Sequence, residues 1–403
     1  MNQRDMRPPF AALGGTIPPE LEKLPTPCYL LDEAALTRNA EILGGLAQRT
    51  GCKVLLAQKA FSNYDCYPLL APHLAGTEAS GLFEARLGAE EMPGKEVHVF
   101  CAAYRADEMD ELVQYADHIV FNSPAQLAKF GPAAKAAGKS VGLRINPECS
   151  TQDGHAIYDP CAPGSRLGTT RAQWNAAVAA NPALPNLLDG LHFHTLCEQD
   201  SDALATTLDA VAQKFGDLLP RMQWLNFGGG HHITRPGYDI ATLERCITRA
   251  QQDWGVTVYL EPGEACALNA GFLLSRVLDV VQNGDITIAI LDASAACHMP
   301  DVIEMPYRPP LFAAAEPGEK PCTVRLAGPT CLAGDVIGDY GVDAVPNVGD
   351  LLVFGDMAIY TTCKNNTFNG MPLPAIFARA ASGTTRSIVS FGYEDFKYRL
   401  GKR

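Results

Sequence analysis

Side chains able to do chemistry stand directly after short apolar stretches in the first two thirds of the chain. Lys59 follows the apolar residues 54–57, Arg144 and His194 end two later stretches, and Glu261 ends a further one. Residues 228–230 are three consecutive glycines. A lysine rarely enters a core unless it is paired, and glycine N–H groups can form an anion-binding nest. The spacing therefore offers an amine, a carboxylate, an imidazole and an anion cradle at the ends of candidate strands.

The elements that must position these groups follow an alternating pattern. Stretches with apolar residues at three- and four-residue spacing, typical of amphipathic helices, separate short β-rich runs. The β-rich runs are residues 53–58, 76–80, 96–101, 118–122, 140–146, 188–194, 222–229 and 256–263. Alternating strands and helices predict a parallel sheet, and eight strands within roughly 210 residues fit a (β/α)8, or TIM, barrel. The weakest of these predictions is the second run, which is hardly hydrophobic.

The pattern changes after about residue 265. Helical periodicity nearly vanishes, and apolar runs are separated by Gly, Pro, Asn and Asp, as in β-sandwiches and β-barrels. Residues 26–32 read as a further strand that joins this β-domain. We therefore predict an α/β protein: a TIM barrel at residues 33–265, and a C-terminal β-sandwich or β-barrel domain at residues 266–403 that also takes in residues 1–32.

Composition narrows the class of protein. The chain has 403 residues, a formal net charge of −13 and no long Lys/Arg cluster, which argues against nucleic acid and suits a small cationic substrate. There is no apolar run of about 18 residues, so we expect no membrane span. The first fifteen residues lack the apolar core of a signal peptide. The thirteen cysteines stand singly, without zinc-type spacing, which indicates free thiols in a reducing compartment; we expect a cytoplasmic protein.

The chemically capable residues share one predicted location, because active sites of TIM barrels lie at the carboxyl ends of the strands. Each has a plain alternative: Lys59 as a surface lysine, the glycines as a tight turn, Glu261 as a helix cap or an ion-pair partner, and His194 as a buried, hydrogen-bonded histidine. Together they match what pyridoxal 5'-phosphate (PLP) requires: a lysine amine, a phosphate cradle, a flat ring and a carboxylate for its pyridine nitrogen. That carboxylate would favour the protonated nitrogen.

Eight motifs in order carry a resemblance to a known family. They are LLAQKAF (55–61), EASGLFEARLG (78–88), LRINP (143–147), GLHFH (190–194), NFGGG (226–230), EPGEA (261–265), GPTCLAGD (328–335) and AIYTTCKNNTFNG (358–370). The set resembles the PLP-dependent decarboxylases with the alanine-racemase fold, which include ornithine, arginine and diaminopimelate decarboxylases.

This resemblance implies roles for individual residues. Lys59 and Cys331 would be catalytic, the thiol as the acid that protonates the substrate carbon. The implied cofactor-binding residues are Lys59, Ser80, Arg144, His194, Gly228, Gly229, Gly230, Glu261, Gly263 and Tyr360. His194 would stack on the pyridine ring and Tyr360 would reach the phosphate. The resemblance also implies a homodimer with shared active sites, in which Cys331 and Asp335 come from the other subunit. The plain alternative for Cys331 is an inert buried thiol.

Departures from the family pattern narrow the substrate. Thr195 to Glu198 replace a small Gly-Ser pair, and Glu264 replaces the usual Arg. With the segment CHMPDVIEMPYRPPL (297–311), these departures resemble the enzymes that convert carboxynorspermidine or carboxyspermidine to norspermidine or spermidine. The candidate substrate-binding residues are Glu198, Glu264, Asp301, Glu304, Arg308 and Asp335. The alternative for Asp301 and Glu304 is a solvated loop with Arg308 as salt partner.

Other functions remain open from sequence alone. Within PLP chemistry these are diaminopimelate or another basic amino-acid decarboxylase, an amino-acid racemase, and a non-catalytic PLP-binding protein. From a different class, a barrel metal hydrolase could draw ligands from one set of residues. That set is His192, His194, His231, His232 and Glu261. We expect PLP as the cofactor and no metal.

Overall fold

The computed structural model describes Phe10, Leu13, residues 15–152 and residues 158–402. Residues 1–9, 11, 12, 14 and 403 of the predicted β-domain lie outside the described residues. Two compact units are present: one holds Arg38–Lys59 and Cys66–Cys266, and the other holds the described parts of Met1–Thr37, Ala60–Asp65 and Ala267–Arg403. The boundaries placed at residues 33–265 and 266–403 remain a prediction. Among the described residues, no helix has the length and apolarity that crossing a membrane requires.

Strand β1 (Cys28–Asp32) opens the regular structure and helix α1 (Glu33–Thr50) follows it. The next eight strands run parallel and close into a barrel in chain order. They are β2 (Lys53–Ala57), β3 (Gly76–Ala79), β4 (Glu96–Phe100), β5 (His118–Phe121), β6 (Ser140–Arg144), β7 (Gly190–His192), β8 (Trp224–Asn226) and β9 (Thr257–Leu260). All eight strands predicted from the sequence are confirmed.

Strand β3 shows why the weakest prediction was correct. All four of its residues are buried although few are hydrophobic. A Cβ on Gly76 would lie 1.9 Å from the carbonyl oxygen of Glu96, so the neighbouring backbone fills the place of a side chain. Position 76 therefore cannot carry one of the bulky side chains by which a strand is usually recognised in a sequence.

Helices follow the barrel strands. They are α2 (Tyr67–Leu70), α3 (Leu82–Glu91), α4 (Met109–Tyr115), α5 (Pro124–Ala136), α6 (Arg171–Ala180), α7 (Ser201–Phe215), α8 (Ile240–Trp254) and α9 (Glu264–Ala267). Local signals set their ends. The Asp239 side chain accepts a hydrogen bond from Thr242 N at the start of α8, and Gly255 ends that helix in the left-handed conformation, with φ 71°.

The second unit is built on one mixed sheet. Its further strands are β10 (Gly271–Asn283), β11 (Ile286–Leu291), β12 (Cys322–Ala327), β13 (Val336–Val342), β14 (Leu351–Gly355), β15 (Ala375–Arg379) and β16 (Thr385–Val389). The strand order is β13-β12-β11-β10-β1-β15-β16, with β14 paired to β10. The prediction of a barrel followed by a β-rich unit is confirmed, and residues 26–32 contain a strand of that β-rich unit.

Strand β10 is the centre of this sheet. Its first half pairs with β1 and β14, and its second half pairs with β11. Leu30, Phe272, Val353 and Phe377 belong to one buried cluster beneath it. Three short helices complete the unit: α10 (Ala295–His298), α11 (Asp301–Glu304) and α12 (Tyr393–Tyr398).

Candidate active site

Lys59 stands two residues beyond the end of β2 and meets a buried carboxylate. Its Nζ lies 3.3 Å from Oε2 of Glu78 on β3, with 34% of the lysine side chain exposed and 1% of the glutamate. Burial raises the pKa of Glu78 to about 7; the charge of Lys59 opposes this rise and that of Glu261 adds to it. The pair therefore combines an accessible amine with a carboxyl group that titrates near neutral pH.

Glu261 follows β9 and is held at both of its oxygens. Oε1 accepts a hydrogen bond from Asn226 Nδ2 at 2.6 Å, and Oε2 accepts one from His192 Nε2 at 3.0 Å. Burial opposes ionisation, but His192 and the positive charge of Lys59 outweigh it and lower the pKa of Glu261 to about 2. Burial also lowers the pKa of His192. Glu261 and His192 therefore form a buried pair in which the carboxyl group is ionised and His192 Nε2 is the donor.

The three glycines after β8 form a loop that side chains could not occupy. A Cβ would lie 2.4 Å from Phe193 O at Gly228, 2.6 Å from Glu261 O at Gly229 and 2.1 Å from Leu196 O at Gly230.

Gly228 and Gly230 also have φ of 69° and 81°, which glycine adopts without strain. The loop is tied to the Glu261 network, because Gly228 N donates to Asn226 Oδ1 at 2.8 Å. Such a backbone is suited to a closely approaching anion.

His194 and Arg144 flank this loop. Gly229 N donates to His194 Nδ1 at 3.3 Å, and Arg144 Nη2 donates to His194 O at 3.0 Å. The guanidinium lies 4.6 Å from the centre of the Phe100 ring. Burial holds the pKa of His194 well below its usual value, so the ring is a neutral, flat surface. Burial also lowers the pKa of Arg144 to about 10, which leaves it charged near neutral pH.

The remaining predicted residues of the barrel unit divide into two groups. Ser80 is exposed and its backbone N donates to Glu84 Oε2 at 2.5 Å, while Gly263 accepts from Cys266 N at 3.1 Å. The second group is acidic. Glu264 Oε2 lies 3.2 Å from His232 Nε2, and the nearest donor atoms of Glu198, His232 and Glu264 all lie within 4.8 Å of one another. Two predicted substrate carboxylates thus meet around one histidine.

In the β-rich unit, Asp335 organises a loop. Both of its carboxylate oxygens accept hydrogen bonds from Ser294 Oγ, at 3.0 and 2.9 Å, and Oδ2 also accepts one from Thr330 Oγ1 at 2.7 Å. The side chain is 3% exposed. These contacts give Asp335 a structural task, and its predicted contact with substrate stays a prediction. Cys331, in the same loop, is exposed, in contrast to the buried thiol considered as its alternative.

Asp301 and Glu304 have a partner that the sequence did not indicate. Both carboxylates pair with Lys364 Nζ. Arg308, considered above as their salt partner, instead pairs with Glu316 and donates to Asp339 O. That alternative was wrong about the partner because Lys364 is more than fifty residues further along the chain.

Tyr360 lies in the left-handed region, with φ 50°, and its backbone N donates to Ala60 O at 3.0 Å. Its predicted contact with a phosphate stays a prediction.

Comparisons with known proteins agree with this geometry. A family model described as "Pyridoxal-dependent decarboxylase, C-terminal sheet domain" matches residues 28–358. The chain belongs to the pyridoxal-dependent decarboxylase family. The prediction of a PLP-dependent decarboxylase is confirmed, and the barrel metal hydrolase considered from the sequence is overturned.

Three relatives of this decarboxylase cover nearly the whole chain. It is 44% identical to carboxyaminopropylagmatine decarboxylase of Synechocystis sp., over 95% of this chain and 97% of that protein. It is 40% identical to carboxynorspermidine/carboxyspermidine decarboxylase of Campylobacter jejuni, over 94% and 99%. The solved structure of carboxynorspermidine decarboxylase from C. jejuni, complexed with norspermidine, matches with 39% identity and a TM-score of 0.85, covering 93% of this chain and all of that one.

Sequence reasoning assigned no role in the cofactor site to three residues of the candidate site. Glu78 lies in the motif at residues 78–88, from which no role is predicted for it. An acidic residue inside a four-residue strand is nevertheless a usable signal. Asn226 was quoted only as the start of the glycine motif, and His192 was weighed only as a metal ligand. The hydrogen bonds that join Asn226 and His192 to Glu261 depend on how neighbouring strands β7, β8 and β9 align, which no local pattern contains.

Proposed function

We propose that this decarboxylase removes CO2 from carboxynorspermidine or carboxyspermidine and releases norspermidine or spermidine. The observation that carries the proposal is its similarity over nearly the full length to enzymes with this activity. The ionised Glu261 beside the Lys59 amine supports the chemistry. The substrate is an amino acid with a long, amine-bearing tail, which suits an acidic protein.

The residues of the barrel unit fit pyridoxal 5'-phosphate. Gly228 and Gly230 leave a backbone-lined cradle for its phosphate, Glu261 is a buried carboxylate kept ionised, and His194 offers a neutral ring face. We infer that the cofactor is held by the predicted set: Lys59, Ser80, Arg144, His194, Gly228, Gly229, Gly230, Glu261, Gly263 and Tyr360.

When bound, the cofactor withdraws electrons from the substrate carbon that loses CO2. The chain's own task is to keep the required charges and protons in place. Glu261, held by Asn226 and His192, would stabilise a proton on the pyridine nitrogen. The hydrogen bonds from Asn226 and His192 keep Glu261 negative in spite of its burial. Arg144 fixes the backbone of His194 and so the direction of its ring.

Two further groups handle protons. Glu78 lies beside the Lys59 amine and titrates near pH 7, so a carboxylate adjoins that amine above this pH. Cys331 carries an S–H that would supply the proton to the substrate carbon after CO2 has left. Its exposure leaves the thiol accessible for this role.

The substrate tail needs negative partners. Glu198 and Glu264 are the strongest candidates in the barrel unit, because they converge around His232 and are partly exposed. A substrate amine that used Asp301 or Glu304 would have to compete with Lys364. We retain these four as proposed ligands and regard Arg308 and Asp335 as weaker ones, given the protein contacts that they already make.

A visible spectrum and a CO2-release assay test the function. The panel is carboxynorspermidine, carboxyspermidine, carboxyaminopropylagmatine, diaminopimelate, ornithine and arginine. We expect the largest kcat/KM for one of the first two substrates. A preference for carboxyaminopropylagmatine, the substrate in the name of the Synechocystis relative, would transfer the proposal to that second candidate. Racemisation without CO2 release would contradict both.

We also propose a two-fold homodimer with shared active sites, in which Cys331 serves the barrel of the partner. Lys59→Ala and Cys331→Ala homodimers should each be nearly inactive. Unfolding and refolding them together should restore about a quarter of wild-type activity, since one heterodimer site regains both residues. No recovery in a mixture shown to contain heterodimers would place both residues in the same subunit.

A further inference from the structure

The loop that carries Cys331 is anchored mainly at its ends. It joins β12 to β13, and residues 331–334 are all exposed. At one end Gly328 N donates to Asp335 O at 2.9 Å, and Thr330 Oγ1 donates to the Asp335 carboxylate. A Cβ on Gly328 would lie 2.2 Å from Asp335 Oδ2, so glycine is needed for this approach. These contacts hold the ends of the loop together, but none of them involves the backbone of Cys331.

One side chain from a distant turn reaches that backbone. Cys331 N donates to Oδ1 of Asn369 at 2.7 Å, at the short limit for an N–H···O bond. Asn369 lies in the left-handed region, with φ 60° and ψ 17°. Asparagine tolerates this conformation better than most residues with a side chain. The residue type therefore satisfies two requirements, an unusual backbone and a side-chain acceptor.

The turn is itself attached to the segment that holds Asp335. Asn366 Oδ1 accepts from Phe368 N at 2.9 Å, and Asn366 Nδ2 donates to Ala296 O at 2.8 Å. Ala296 N in turn donates to Asp335 Oδ1 at 3.3 Å. The contacts thus close a ring that runs from the start of α10 through both loops and back. A closed ring of this kind restricts the position of Cys331 more than a single exposed hydrogen bond would.

We propose that Asn369 is a positioning residue that directs the Cys331 thiol through the Cys331 backbone. The inference rests on the proposed role of Cys331 as the acid. Proton transfer requires heavy atoms within hydrogen-bond reach, and a misplacement of about 1 Å can cost about 100-fold in rate. Asn369 acts on the chemical step and contacts neither the cofactor nor the substrate carbon.

Two substitutions separate the acceptor from the backbone conformation. Asn369→Gly keeps the left-handed conformation and removes the acceptor, whereas Asn369→Asp keeps both. We expect Asn369→Gly to lower kcat by about tenfold or more with KM within about twofold. Amide hydrogen exchange in the peptide spanning residues 328–335 should also accelerate. Asn369→Asp should restore slow exchange and most of kcat.

Controls decide between the possible failures. Asn347→Ala, at an exposed asparagine of another loop in the same unit, should change neither readout. If Asn369→Gly leaves both exchange and kcat unchanged, or if Asn369→Asp is equally impaired, the positioning role is wrong. If Cys331→Ala keeps the full rate, the proposed acid is wrong instead, and the exchange data then report the loop contact alone.

Discussion

Both ends of the barrel bring a lysine, a glutamate and histidines together. At the amino ends of the strands, Lys53 Nζ pairs with Glu96 and lies 3.2 Å from Tyr259 Oη, which itself donates to Glu96 Oε2 at 2.9 Å. The His98 ring stacks on that of His118, with centroids 3.9 Å apart. At the carboxyl ends, Lys59 lies beside Glu78, and His192 donates to Glu261.

The two clusters differ in how their charges are satisfied. Burial opposes the ionisation of Glu96, but hydrogen bonds from His98 and Lys53 outweigh it and lower its pKa to about 2. Lys53 has two oxygen partners there, Glu96 on β4 and Tyr259 on β9. Burial instead raises the pKa of Glu78 to about 7, so its proton remains exchangeable near neutral pH.

The comparison teaches that residue types do not make a site by themselves. At the amino ends Lys53, Glu96 and Tyr259 are bonded to one another. At the carboxyl ends a glycine loop follows β8, and Lys59 meets a carboxyl group that titrates near pH 7. The predictions below test this contrast with matched changes at the two ends.

The largest difference is expected between the two lysines. Lys59→Ala should lower decarboxylation by about 1,000-fold or more, because the amine proposed to bind the cofactor is lost. Lys53→Ala should leave kcat within about threefold and lower the free energy of unfolding by about 1 kcal/mol. Steady-state CO2 release and urea unfolding measure the two effects. Equal losses of activity would remove the distinction between the ends.

The next largest difference in kcat is expected between substitutions of the two ionised glutamates, Glu261 and Glu96. Glu261→Gln should lower kcat by about 100-fold, since a neutral amide cannot stabilise the pyridine proton. Glu96→Gln should leave kcat within about twofold. Because the side chains in each substitution are nearly equal in size, circular dichroism should show both variants folded. A Glu261→Gln enzyme with the wild-type kcat would show that Glu261 is not needed to stabilise the pyridine proton.

Glu78 predicts a pH-dependent difference in cofactor loading. Its carboxylate, present above about pH 7, stabilises the Lys59 ammonium, whereas only a neutral amine attacks an aldehyde. Glu78→Gln should load at the wild-type rate at pH 6 and about tenfold faster at pH 8. Stopped-flow absorbance after addition of PLP to cofactor-free enzyme measures this rate.

Glu90→Gln, at an exposed glutamate of α3 paired with Arg86, serves as the control and should load as the wild type does at both pH values. If Glu78→Gln and wild-type enzyme show the same ratio between pH 8 and pH 6, Glu78 does not govern the amine.

The smallest effect concerns stability at the amino ends. Burial, and to a smaller extent repulsion from His98, lowers the pKa of His118 from 6.5 to about 3. The unfolded chain therefore binds one more proton between these values, and His118 makes stability fall as pH falls, by up to about 1.4 kcal/mol per pH unit. His118→Phe should reduce this slope in urea titrations at pH 4.5–7.5 without changing kcat. An unchanged slope would assign the acid sensitivity to other buried histidines.

Local patterns were sufficient for most of the barrel. The alternation of apolar runs and amphipathic helices placed all eight strands, and the rule that sites lie at the carboxyl ends selected Lys59, His194 and Glu261. The same patterns could not show that Asp301 and Glu304 pair with Lys364, or that Asn369 reaches Cys331. Those contacts join segments far apart in the chain, and they depend on side-chain directions that follow from loop conformation.

The order of residues alone determined the succession of elements, the glycines at 228–230 and the residue types at the strand ends, because each follows from local periodicity and steric limits. Only the tertiary structure decided which partners each lysine meets and which carboxyl group is ionised. The burial and the charge around each carboxyl group are sums over neighbours from several strands. Whether Glu78 or Glu261 carries a proton is therefore decided only once the barrel has closed.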